Sequence, residues 1–198
     1  MTLPFSEACE KNKQAILDVI QPLFENAGRV VEIGSGTGQH AEFFAASMPE
    51  TLWQPTDRVE HLAVIDARRQ TSGQGNFLLP LALDVNKDWP VEQVENIFTA
   101  NTLHIMSWKE VELFFQGIGQ VLVGGGFVCI YGPFNYQGQY TSESNARFDD
   151  WLKQRDPKSA IRDFESIERL AKTAGMSLHQ DVAMPANNRC LVFKRTNG

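Results

Sequence analysis

Cysteine is scarce in this chain and poorly placed for pairing. Cys9, Cys129 and Cys190 are odd in number and far apart, with no Cys-x-x-Cys pair, so neither a disulfide framework nor a zinc site is expected. Cys129 and Cys190 lie in apolar, strand-like runs and read as core residues, while Cys9 falls on a helix and is given no catalytic role. Apolar runs of membrane-spanning length are missing and no signal peptide is recognisable. The cytoplasm is therefore the expected compartment, with no membrane partner. Basic charge is also short: 18 Lys and Arg stand against 24 Asp and Glu, a net charge of −6. The basic stretches, such as Arg68-Arg69 and Lys194-Arg195, are only dipeptides inside mixed sequence, which argues against a nucleic-acid backbone as the main partner. Repeats and low-complexity segments are absent. With 198 residues and a 42% hydrophobic fraction, residues 1–198 are expected to form one domain with its own core, as a monomer or homodimer.

What is present is concentrated in Val30-Val-Glu-Ile-Gly-Ser-Gly-Thr-Gly-Gln-His40. Residues 29–33 have the β-branched, apolar character of a buried parallel strand. Gly34, Gly36 and Gly38 suit a tight turn that lets the backbone approach a ligand. The turn feeds a helix N-terminus whose free N–H groups can meet negative charge. Glu32 stands where a strand-end carboxylate could face a cation. A ligand with a nucleoside, an ammonium and a carboxylate fits this combination, and S-adenosylmethionine (SAM) is one. Gly36-Thr-Gly-Gln-His-Ala41 also satisfies the G-x-G-x-x-A dinucleotide pattern, which leaves an NAD-linked oxidoreductase open at this point.

Along the chain, Ser6 can cap a helix over 6–24 with Ile16, Leu17, Ile20, Leu23 and Phe24 on its buried side and Pro22 at its frayed end. Helical patterns follow at 39–48 and 59–70, the latter with Leu62, Ile65 and Arg69 on one face, and 71–76 reads as a loop. Ser107 and Glu110 form a capping box for the next helix, closed by the glycines at 124–126. Strands are expected at 52–54, 79–83, 97–102, 127–131, 177–183 and 190–195. A polar, lid-like stretch over 133–162 holds a helix near 143–154, and another helix follows at 163–174. Alternating strands and helices imply a parallel sheet, and the short connection before 190 implies a terminal antiparallel hairpin. This α/β arrangement, a three-layer Rossmann-like fold with a seven-stranded, mostly parallel sheet, is similar to the class I SAM-dependent methyltransferase fold.

Ligands of such sheets sit outside the carboxyl ends of the strands. By chain position, and by resemblance to class I methyltransferases, Asp57 suits the ribose hydroxyls and Asp84 the adenine amino group. Asn101 and His104 then lie beneath the methionine part. Asp57 could equally cap the following helix, and Asp84 could be a turn aspartate of Asp84-Val-Asn-Lys-Asp88. Trp89 reads as a wall residue. His104 is the first candidate for a general base, with a backbone-bonded structural histidine as its alternative. Tyr131 could line the transfer site or belong to the core. Asp149 and Ser144, about one helical turn apart, could both face the pocket, or Asp149 could pair with Arg147 or another cation. Arg155 and Arg162, beside Asp156 and Asp163, read as structural ion pairs.

A narrower likeness runs over nearly the whole chain. Phe5-Ser-Glu-Ala-Cys-Glu-Lys-Asn-Lys13, Trp53-Gln-Pro-Thr-Asp57, Asn101-Thr-Leu-His104, Tyr140-Thr-Ser-Glu-Ser-Asn-Ala-Arg-Phe-Asp149, Arg155-Asp-Pro157, Ile161-Arg-Asp163 and Met184-Pro-Ala-Asn-Asn188 resemble the methyltransferase-like 26 family. The resemblance implies SAM as cofactor and draws in Asn12, Lys13, Tyr140, Ser144, Asn145 and Asn187 as substrate or lid residues. It does not name the acceptor. A small molecule is expected, with a non-catalytic binder of SAM or S-adenosylhomocysteine as the competing reading.

Overall fold

The computed structural model describes residues 3–25 and 28–197. Helix α1 (Glu7–Phe24) starts where the Ser6 hydroxyl accepts the Cys9 N–H, and Glu7 and Glu10 face its positive end. There follow β1 (Arg29–Ile33), α2 (Gln39–Ser47), β2 (Leu52–Asp57), α3 (Leu62–Ser72), β3 (Leu81–Ala82), β4 (Val94–Ala100), α4 (Trp108–Val121) and β5 (Leu122–Gly132). The chain closes with β6 (Phe134–Asn135), α5 (Glu143–Arg155), β7 (Arg162–Asp163), α6 (Phe164–Thr173), β8 (Met176–Met184) and β9 (Asn188–Arg195).

Seven strands form one sheet in the order β3-β2-β1-β4-β5-β9-β8, with β9 antiparallel to both neighbours and the rest parallel. Strand β1 is buried on both faces, which explains its nearly unbroken apolar run. Val31 and Ile33 point into a core shared with Phe114 and Phe115 of α4 and Ile167 of α6. Val30 points to the other side, where Phe24, Phe44, Trp53 and Phe98 pack under α1 and α2. The order reverses between β1 and β4, so the crevice for a ligand opens there. A small parallel pair, β6 with β7, pins the segment around α5 to the end of β5.

Several boundaries differ from the sequence expectation, each for a tertiary reason. The glycines at 124–126 do not close α4. They bulge within β5, where pairing jumps from Val94–Leu122 to Asn96–Phe127. A Cβ on Gly126 would lie 2.3 Å from the Glu95 carbonyl, so the close approach of β4 demands glycine. Pro22 lies inside α1 rather than at a frayed end. Strand β2 runs on to Asp57, β3 shrinks to two residues, and β4 begins and ends earlier than expected. The expected loop at 71–76 starts with the last turn of α3. On α3 it is Arg68, not Arg69, that turns inward with Ile65.

Candidate functional site

The glycine turn after β1 is held from two sides. Gly34 and Ser35 both donate N–H to the Thr56 carbonyl at 3.0 Å. Gly34 has φ +75, and a Cβ there would lie 2.4 Å from Thr102 Cγ2, so the turn packs directly on the loop after β4. Gly36 differs: its φ is +56 but a Cβ would meet nothing within 4 Å. Its backbone faces open space, and its N–H donates to Asp57 Oδ2 at 2.7 Å. Asp57 Oδ1 accepts the Arg58 N–H at 2.7 Å. Both oxygens keep a free lone pair for a further donor. Asp57 is not a helix cap, since α3 is preceded by His61 with no side-chain cap.

Beside this turn lies a cleft of about 210 Å³, lined by Ile33, Leu83, Val85 and Met106 and by the carboxylates of Asp57 and Asp84. Asp84 is the turn aspartate that the sequence allows. Its Oδ1 accepts the Asn86 N–H and amide at 3.0 and 2.9 Å, and these bonds hold its carboxyl below the usual range. The turn thus fixes a charged acceptor at the rim of the cleft. Trp89 is a wall residue, packed on α4 where a Cβ on Gly117 would lie 2.2 Å from its ring. Two larger grooves, about 660 and 710 Å³, flank α4. Neither contains Asp57, Asp84 or a residue of the glycine turn, and a groove of about 520 Å³ shares Leu83 and Asp84 with the smaller cleft but not Asp57 or Gly34, so the smaller cleft is the relevant one.

Glu32 does not line that cleft. It is 1% exposed, on the layer beneath α1 and α2, with Oε2 accepting the Trp53 indole N–H at 2.9 Å. Burial pushes its carboxyl up to about 7, against hydrogen bonds from Trp53 and Ser35. Sequence reasoning missed Arg68. From α3 it donates to the Thr37 carbonyl in the glycine turn, to Glu42, and to the Pro4 carbonyl, at 2.7, 2.8 and 2.7 Å. Ser6 N–H is bound by Gln39 Oε1, so the segment before α1 is strapped onto the turn. The only available signal was the three-residue spacing from Ile65, hidden in a basic dipeptide.

On the other side of the site, Tyr131 ends β5, nearly buried at 3% exposure. Its hydroxyl accepts the Asn188 amide at 3.0 Å. Its carbonyl takes the N–H of Asn101, which sits at φ +59 beyond the end of β4. The Asn12 carbonyl meets His40 Nε2 at 2.7 Å. Burial, with Lys13 nearby, lowers the His40 pKa to about 4. Asn145 donates to Thr141 Oγ1 and to the Asn187 carbonyl, and Asn187 donates to Ser144 Oγ. Thus Asn12 ties α1 to α2, while Ser144 and Asn145 tie α5 to Asn187 in the hairpin turn. Lys13 pairs with Glu10 at 2.6 Å.

The candidate acids and bases are reassigned. His104 packs edge-on against Phe148, with ring centroids 5.3 Å apart. Burial and the neighbouring Arg162 cation lower its pKa to about 4, so the ring is neutral at pH 7. Its carbonyl accepts the Ala160 N–H. Asp149 and Ser144 do not share a pocket. Five residues turn a helix through about 500°, which puts them on different faces: Asp149 is buried and Ser144 exposed. Asp149 accepts Tyr140 O–H at 2.7 Å, Ile161 N–H at 2.6 Å and the Lys153 ammonium at 2.5 Å. Burial works to raise its carboxyl, but these partners hold it below the usual range. Its ion-pair partner is Lys153, while Arg147 pairs with Glu143. Arg155 and Arg162 do not form the expected ion pairs with Asp156 and Asp163. Arg155 lies over the Trp151 ring at 4.6 Å, and Arg162 donates to the carbonyls of Leu103, Met106 and Lys158.

The fold is similar to that of the SAM-dependent methyltransferase SibL, with a TM-score of 0.81 and 20% identity over 96% of this chain and 56% of that one. It is also similar to an O-methyltransferase family protein from Burkholderia thailandensis, with a TM-score of 0.79 and 14% identity over 94% and 57%. Mitomycin 7-O-methyltransferase MmcR gives 0.75 and 15% identity over 93% and 56%. This chain therefore spans a little over half the length of these structures. Likenesses at this level of identity establish the fold, a class I methyltransferase fold, and nothing narrower. At the level of family the match is direct: residues 3–195 fit the model described as protein of unknown function (DUF938), and the chain belongs to that family.

Proposed function

We propose that this chain binds SAM and transfers its methyl group to a small-molecule acceptor. The observation that carries this reading is Asp57, a carboxylate fixed by Gly36 N–H at the end of β2 with a lone pair to spare on each oxygen. SAM supplies a methyl group activated by a sulfonium. Asp57 would accept from the two ribose hydroxyls and Asp84 from the adenine amino group, while Leu83, Val85 and Met106 would enclose the base. The open backbone at Gly36 admits a close ligand approach. The strapped N-terminal segment and α5 would exclude water, and in-line transfer needs chiefly position. His104 would hold the acceptor's proton in its neutral ring. A weak base serves here, because an oxygen being methylated becomes strongly acidic. The net charge of −6 favours a small acceptor over a nucleic acid, and the likeness of residues 140–149 and 184–188 to the methyltransferase-like 26 family supports the same reading.

Titration calorimetry with SAM and S-adenosylhomocysteine tests the cofactor half of the proposal. Both should bind, and binding of NAD in place of either would overturn it. Transfer of tritiated methyl from SAM to compounds of several classes tests the enzymatic half. Binding without transfer to any class would favour a non-catalytic SAM-binding protein.

A further inference from the structure

Resting on that reading, we propose that the Tyr131 hydroxyl is the acceptor-binding group of the site, and that it selects an uncharged, oxygen-bearing acceptor by donating a hydrogen bond to it. Three tyrosines are present, and two of them spend their proton inside the protein: Tyr136 donates to Asp181 and Tyr140 to Asp149, each at 2.7 Å. Tyr131 behaves differently. Its oxygen accepts the Asn188 amide at 3.0 Å. Asn12 cannot easily turn its carbonyl to the phenol, because that carbonyl is engaged with His40. With the Asn188 amide donating to its oxygen, the phenol must aim its own proton away from Asn188, and among the described residues it meets no acceptor. Burial raises its pKa, so it stays a donor and not a base.

The backbone around Tyr131 supports a functional role. Among the described residues, four other than glycine have positive φ, and three of them adjoin Tyr131 or its partner Asn188 through the backbone. Asn101, at φ +59, donates its N–H to the Tyr131 carbonyl. Ala186 and Asn187, at +57 and +58, shape the turn that presents Asn188. Two successive left-handed residues with side chains are costly. They are held by Asn145 and by the bond from Asn188 to the Pro185 carbonyl. Strain of this kind persists where the surroundings over-determine it, and it concentrates at sites.

The charge of the acceptor follows from the neighbours. Every Lys and Arg of α1 and α5 already has a partner, as do Arg162 and Arg189. The groups facing the phenol are amides. A carboxylate or phosphate would be desolvated here without a counter-ion. An ammonium has no lone pair to accept the Tyr131 proton. A neutral alcohol, phenol or hydroxy-carbonyl compound satisfies both conditions. Asn188 acts through Tyr131, as a positioning residue.

The test uses the full chain with tritiated SAM and three probe sets: catechol, hydroquinone and glycerol; benzoate and malonate; phenethylamine and histamine. Transfer should fall on the neutral set. Tyr131→Phe should then raise KM roughly tenfold, the cost of one neutral hydrogen bond, with kcat within about threefold and the SAM Kd unchanged. Asn188→Asp should reproduce it, because a carboxylate there captures the phenol proton. Transfer confined to the charged sets, no transfer to the neutral set, or an unmoved KM in both variants would overturn the inference while SAM still binds. Failure of SAM to bind the unmodified chain would overturn the proposed function itself, and the inference with it.

Discussion

The proposed cofactor side and the proposed acceptor side of this site are built by opposite means. The bonds that fix the two carboxylates of the proposed cofactor side are short-range: Gly36 reaches Asp57 across 21 residues, and Asp84 folds onto Asn86 only two away. Its carboxylates keep spare lone pairs and its cleft is open. The acceptor side is assembled by bonds of longer reach, Asn145 to Asn187 across 42 residues, Asn188 to Tyr131 across 57, Arg162 to Leu103 across 59. There nearly every charge is consumed internally. The difference teaches where each kind of residue does its work. Asp57 and Asp84 near the glycine turn keep lone pairs for a further donor, whereas Arg68 beside them and the charged groups around α5 hold the protein together.

Paired substitutions would break or sharpen that contrast. Asp149→Asn replaces an acceptor for three donors with an amide that must face at least one of them. It should cost about 3 kcal/mol of stability, the scale of a broken buried ion pair, read as a lower urea midpoint, while SAM affinity stays within about threefold. Asp57→Ala should do the reverse. Losing two acceptors should weaken SAM binding by about 2–3 kcal/mol, the scale of hydrogen bonds to a charged group, with stability changed by about 1 kcal/mol or less. An Asp149→Asn protein of normal stability but no turnover would restore Asp149 as a catalytic group and dissolve the contrast.

Acid should act mainly through the buried histidines. The folded pKa of His104 is about 4 against an ordinary 6.5, and His40 matches it. A depressed pKa contributes stability above pH 6.5 that is lost as pH falls towards 4. For His104 the difference between pH 7 and pH 5 is about 2 kcal/mol. His104→Gln should shrink the gap between urea midpoints at those two pH values by that amount. An unchanged gap would mean that the ring is already protonated or solvated in the folded state.

How much of this was legible in the sequence follows the same division. The places of Gly34, Gly36, Asp57 and Asp84 at the strand ends were readable because they depend on local spacing. The capping box at Ser107 and the terminal hairpin were readable for the same reason. Arg68 was not, because nothing local says that its guanidinium will cross to Thr37 and Pro4. Asp149 looked like an acid beside a pocket, and only the fold brings Ile161 N–H and Tyr140 to it. The glycines at 124–126 read as a helix stop. Their requirement comes from the Glu95 carbonyl of the neighbouring strand, and helix-stop and close-approach glycines carry the same letter.

Glu32 sits on the boundary between the two sides and gives the smallest effect. The sequence placed it before the turn as a partner for a cation, whereas the fold buries it against Trp53 with a pKa of about 7. Its raised pKa contributes stability below about pH 4.5 that is lost as pH rises through 7, opposing the histidines. A ligand cation arriving near the turn would favour the carboxylate and drive its proton off. At pH 7 about half a proton should then be released on SAM binding, measured by calorimetry in phosphate and in Tris, whose ionisation enthalpies differ. Glu32→Gln keeps an acceptor for the Trp53 indole and should abolish the release. S-adenosylhomocysteine has the ammonium but not the sulfonium, so equal release with both ligands would assign the ammonium as the partner. Release that persists in the Gln variant would leave Glu32 a prop for Trp53 and move the ammonium's partner elsewhere in the turn.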